Sequence, residues 1–139
     1  MTLEEIISVT GKPGLYKIIS QSKSSIIVES LLDKKRFPIN AMHNVSVLDN
    51  IAIYTYEEEV PLKLVFKVIA EKEKGKECIN HKESANKLVA YFKEILPDYD
   101  DERVYTSNIK KVYQWYNLLV ANKFDFSSIK EDEDTETED

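Results

Sequence analysis

The apolar pattern of this chain changes its period once. From Pro13 to Tyr56 the apolar residues fall in short runs rich in β-branched and aromatic side chains. From Pro61 onward they recur at three- and four-residue spacing. The first pattern suits strands that bury one face, and the second suits helices that bury a stripe. Strands followed by helices define an α+β chain, with the helices covering an antiparallel sheet.

The strand region divides at polar turn clusters into residues 15–20, 26–31, 36–39, 45–48 and 51–56. Five short strands at such regular spacing predict a small five-strand antiparallel barrel or a strongly bent meander. A sheet of that size has little core of its own and needs something packed against it. Ahead of it, Thr2-Leu3-Glu4-Glu5 has capping-box spacing, and Leu3, Ile6 and Ile7 share a helical face that Gly11 ends. This predicts a short opening helix, with a strand starting at Ile6 as the alternative.

Three helices follow. The first has Pro61 in its opening turn behind Glu57-Glu58-Glu59, and Leu62, Val65, Phe66 and Ile69 on an apolar face that Leu64 and Val68 widen. A charged linker, 72–77, leads to a second helix over about 82–96, which carries Ala85, Leu88, Val89, Phe92, Ile95 and Leu96 on one face and ends at Pro97. An acidic connection, 98–102, precedes a third helix capped by Thr106 or Ser107. Its buried stripe is Ile109, Val112, Tyr113, Tyr116, Leu119 and Val120. The expected division is a small β-barrel-like domain at 1–56, a helical domain at 57–123, and a disordered acidic tail at 124–139.

Charge sharpens that division. Residues 131–139 hold seven of the 25 acids and none of the 19 bases, so the rest of the chain balances to about +1. The acidity belongs to a segment with nothing to bury. No apolar run approaches the length of a membrane helix, and Met1-Thr2-Leu3-Glu4-Glu5 lacks the regions of a secretory signal. A lone cysteine, Cys78, fits a reducing compartment, so the expected location is cytoplasmic.

Gly11-Lys12-Pro13-Gly14-Leu15-Tyr16-Lys17, Ile27-Val28-Glu29-Ser30-Leu31 and Lys34-Lys35-Arg36 resemble a small N-terminal domain of uncharacterised Bacteroidetes proteins. Glu59-Val60-Pro61-Leu62, the run from Arg103 to Lys111, and Trp115-Tyr116 are similar to the helical companion domain of that family. Both parts are domains of unknown function. The resemblance implies a two-part architecture and a bacterial cytoplasm, and it carries over neither an activity nor a site.

Chemical motifs are sparse. Cys78 and His81 have the spacing of half a zinc site, but only His43 remains as a further strong ligand. Neither histidine comes with an evident orienting group that would make Cys78 a nucleophile. Gly11-Lys12-Pro13-Gly14 lacks the spacing of a phosphate loop, and Pro13 removes an amide donor; a turn is the expected role. The acids at 98, 100, 101 and 102 lack the glycine and the final glutamate of a calcium loop. No catalytic residue, cofactor or metal is therefore expected, and the chain reads as a non-enzymatic interaction module.

Its predicted partner is a protein or a second copy, bound through Tyr113, Trp115, Tyr116 and Leu118 on a Tyr/Trp-rich helical surface. The alternative is nucleic acid, bound through Lys34, Lys35, Arg36, Lys110 and Lys111, with the acidic tail as an autoinhibitory phosphate mimic. No membrane is expected.

Overall fold

The computed structural model describes residues 2–12, 14–40 and 44–129. The fold is α+β. Five strands, β1 (Ile6–Val9), β2 (Tyr16–Gln21), β3 (Ser25–Ser30), β4 (Arg36–Asn40) and β5 (Val45–Val47), form an antiparallel sheet of order β4-β3-β2-β1-β5. A separate hairpin joins β6 (Ala52–Tyr54) to β7 (Glu59–Pro61). The helices are α1 (Leu62–Glu73), α2 (Ala85–Ile95) and α3 (Thr106–Ala121). No helix among the described residues is long and apolar enough to cross a membrane.

The sheet is a bent meander. β4 and β5 lie at opposite edges, yet only four residues separate them in sequence. Five Cα steps span at most about 17–19 Å, and the edges of a flat five-strand sheet lie about 19 Å apart. Twist and curl bring the edges within reach of that short link. The curl gives the sheet an inner face with its own small core of Ile7, Val9, Tyr16, Val28 and Ile39. Ile6, Leu15 and Leu31 point the other way and join the larger core under the helices.

Three expectations are corrected. The opening helix is only a 3-10 turn at Leu3–Glu5, closed by the Thr2 amide donating to Glu5 Oε1 at 3.1 Å. Ile6–Val9 is a strand because it pairs with both β2 and β5. The segment near 51–56, expected as the fifth strand of the sheet, instead forms the hairpin with β7 and lies outside that sheet. The tail is also shorter than the range 124–139. Phe124, Phe126 and Ile129 are buried, and Phe126 stacks on Tyr116 with ring centroids 4.8 Å apart. Residues 130–139, where the rest of the predicted disorder falls, lie outside the described residues, as does His43.

Helix α3 organises the packing. Its expected stripe is buried at Ile109, Val112, Tyr113, Tyr116 and Leu119. On one flank, Asn117 Oδ1 accepts the Cys78 amide at 2.7 Å, and the Tyr116 hydroxyl donates to the Lys76 carbonyl at 2.8 Å. These bonds stitch the linker between α1 and α2 to α3. On the other flank, Lys111, Trp115, Leu118 and Asn122 follow at spacings of four, three and four, which puts them on one line along the helix. That line faces the β part. Asn122 donates to the Leu31 carbonyl at 3.2 Å and accepts from Lys34, and Leu118 lies against Gly14.

Gly14 is where the β part comes closest to this seam. Its φ is +78°, and an added Cβ would sit 2.7 Å from Leu32 Cδ1 and 3.6 Å from Leu118 Cδ2. Gly11 has a similar φ of +86° with open space around it. The two glycines thus separate backbone strain from packing. Gly11→Ala is expected to cost about 1 kcal/mol in urea unfolding, and Gly14→Ala about 2–3 kcal/mol. Equal losses would contradict close packing of Leu32 on Gly14.

Candidate functional site: a cationic cleft along the seam

The residues predicted to form an aromatic surface separate into two groups. Tyr113 and Tyr116 are fully buried, and the Tyr113 hydroxyl donates to the Leu88 carbonyl at 2.6 Å. They are core residues and do not contribute to a surface. Trp115 and Leu118 are half-buried in the seam against the β part. The flank expected to meet a partner is therefore largely covered from within the chain.

The predicted basic residues do not form one patch either. Lys34 is bonded to Asn122 at the C-terminal end of α3, and Arg36 pairs with Glu29 at 3.7 Å. Lys110 and Lys111 lie in the N-terminal half of α3, about 17 Å away along the helix axis. Lys35 and Lys110 are exposed, and neither lines the cleft described next.

That cleft, of about 770 Å³, opens where the β1–β2 turn, the β6 strand and the N-terminal half of α3 meet. Lys12, Arg103 and Lys111 supply its charge, and no Asp or Glu side chain lines it among the described residues. Tyr54 and Trp115 give it aromatic walls, and Ser8, Thr10, Ser46, Asn108 and Gln114 give it polar groups. Leu62, the first residue of α1, and Asn108, in the first turn of α3, both line it.

The arginine is held in position. Asp100 is buried; its carboxylate accepts Arg103 Nε at 2.9 Å and the Glu102 amide at 3.0 Å. The hydrogen bond from Arg103 holds the Asp100 carboxyl below its ordinary value. The guanidinium lies over the Tyr54 ring at 4.3 Å. Beside it, Tyr56 and Tyr105 are 60% and 63% exposed, while Tyr54 is 39% exposed. Tyr56 donates to Asp101 at 2.7 Å. The exposed aromatic residues of this protein are these three tyrosines around Arg103, and the third helix contributes only the edge of Trp115.

Sequence reasoning missed Arg103 and Tyr105 as surface residues. The one local signal was Asp100 three residues before Arg103, which read as part of a solvated acidic connection. That connection is instead tied to the hairpin by a Thr55–Tyr99 bridge and by the Asp100 amide donating to the Tyr54 carbonyl.

Other constellations have structural roles. Gly11 and Gly14 both take positive φ in the β1–β2 turn. No group of three or more His, Cys, Asp or Glu side chains able to hold a metal occurs among the described residues. Cys78 is packed against the core, and burial, with Glu73 adding to it, pushes its thiol up to about 12.

Comparison with known proteins places this architecture. Residues 3–48 match a Domain of unknown function (DUF5606), and residues 51–119 match a Domain of unknown function (DUF6852). A solution NMR structure from Bacteroides vulgatus, a structural-genomics target, is 49% identical, with a TM-score of 0.73 over 89% of each chain. The chain belongs to this two-part family of Bacteroidetes proteins. No curated protein matches it.

The thiol gives a direct test. At pH 8 a thiol titrating near 12 is about one ten-thousandth thiolate, against about one-tenth in an unfolded chain. Alkylation of Cys78 by iodoacetamide should be on the order of 100-fold slower or more in the native protein than in urea. The raised value also sets a sign. The folded state holds this proton more tightly, so the contribution of the buried thiol is whole below pH 9 and is lost as pH rises toward 12. Native alkylation as fast as that of the unfolded chain would show that the linker is not held to α3.

Proposed function

We propose that the chain is a non-enzymatic interaction module that holds an acidic, extended segment of a protein partner in the seam cleft. One observation carries this reading: Lys12, Lys111 and Arg103, the last of them paired with Asp100, converge with Tyr54 and Trp115 on a cleft that no carboxylate lines among the described residues. Tyr, Trp and Arg are the residue types that dominate binding energy at protein interfaces.

A protein partner is favoured over nucleic acid by the charge distribution. The chain before residue 131 is near neutral, Arg36 is paired, and Lys34 is bonded to Asn122. Binders of nucleic acid usually carry an evident basic excess over one face. The non-enzymatic reading is supported by the polar lining. Among the described residues, no histidine or carboxylate lines the cleft with the hydroxyls of Ser8, Thr10 and Ser46 to act as a base.

The test uses a labelled ten-residue oligoglutamate and a thymidine decanucleotide as probes, with the full chain and a chain ending at Lys130. The described core ends at Ile129, so the shorter chain keeps every described core residue. Binding of oligoglutamate by at least one form is expected, weakened tenfold or more by Lys12→Glu with Lys111→Glu, with the circular dichroism unchanged. Binding by neither form overturns the reading. Decanucleotide binding ten times tighter than that of the peptide overturns the choice of a protein partner.

A further inference from the structure

We infer that residues 131–139 of the chain itself are the resident occupant of the seam cleft, where they shield Lys12, Arg103 and Lys111 from outside partners. This rests on the reading of the cleft as a site for an acidic segment and names its first ligand.

Charge complementarity is the first argument. Residues 131–139 carry seven carboxylates and no base, alternating with threonine over the last five positions. The cleft has Lys12, Lys111 and Arg103, the last paired with Asp100, and no acidic lining among the described residues.

Reach is the second argument. The described chain ends at Ile129, which is buried and whose carbonyl accepts Lys67 Nζ at 3.1 Å. Lys67 stands five residues, or about 7.5 Å of helix rise, from Leu62 in the cleft wall. The ten residues beyond Ile129 span up to about 34 Å when extended. Leu62, about 7.5 Å along α1 from the residue that Ile129 bonds, falls well inside that span.

Tethering is the third. A segment on a short linker acts at an effective concentration in the millimolar range, so even a weak acidic ligand occupies the cleft when it is part of the same chain. An outside acidic segment must then displace it, and the attraction between these exposed charges falls with salt.

The experiment compares amide and indole resonances of the full chain and of the chain ending at Lys130. Removing the tail is expected to shift the Trp115 indole N–H and the amides of residues 10–12 at about 20 mM salt. Raising salt to about 300 mM should move the full chain toward the same positions. A free peptide of residues 131–139 added to the shorter chain should reverse the shift. Lys12→Glu with Lys111→Glu should erase the difference between the two forms. The shorter chain should also bind labelled oligoglutamate at least tenfold tighter than the full chain.

Shifts confined to Lys67 and Lys74 on α1 would place the tail elsewhere and overturn the inference. A difference that disappears on dilution would assign the occupant to a second copy and overturn it too. Equal oligoglutamate affinity in both forms defeats the tail inference and leaves the cleft reading intact. Failure of both forms to bind defeats the cleft reading itself.

Discussion

The contact on which this structure depends is the line Lys111, Trp115, Leu118 and Asn122 laid along the β part. The curled sheet fills a small core with its inner face, but Leu15 and Leu31 on its other side belong to the helical core. Without α3 those residues are uncovered, because a five-strand sheet of three- to six-residue strands cannot bury both faces alone. Leu118 seats against Gly14, and Asn122 caps the seam by taking up the Leu31 carbonyl and the Lys34 ammonium. The cleft is what remains where the seam widens toward the start of α3.

Helix α3 is covered on three sides, and each side has a different chemistry. The core side is aliphatic and aromatic. The linker side is hydrogen-bonded, with Tyr113, Tyr116 and Asn117 each reaching a backbone carbonyl or amide between Lys76 and Leu88. The β side is mixed, and runs from a packed leucine at one end to an open cationic cleft at the other. Buried hydroxyls that find backbone partners satisfy groups that would otherwise be costly to desolvate. This explains why tyrosines, and not only leucines, occupy the stripe. It also holds an irregular linker in place without secondary structure of its own.

Much of the fold was legible because its signals are local. The strands at 15–20 and 26–31, the helix ending before Pro97 and the stripe on α3 all follow from periodicity and stop signals within a few residues. The failures share a cause. Leu3, Ile6 and Ile7 satisfy a helical face as well as a strand, and only pairing with β2 and β5, up to 40 residues away, decides between them. Residues 52–54 read correctly as a strand, but their sheet partner is set by the return of β7. Tyr113 and Tyr116 were read both as stripe and as surface, and burial leaves only the first. The cleft was illegible as a unit: Lys12, Tyr54, Arg103 and Trp115 come from four stretches, and none carries a local mark of the others. The strongest local basic run, at 34–36, is largely engaged in holding the fold.

The central claim is that the seam makes one cooperative body of two parts and fixes the cleft between them. Trp115 is the only tryptophan and sits in that seam, so its fluorescence reports the seam alone while far-ultraviolet circular dichroism reports both parts. Urea titration followed by both signals should give one transition with coincident midpoints. A fluorescence transition complete at lower urea, with strand and helix ellipticity retained, would mean that the seam opens while each part stays folded, and would contradict the account.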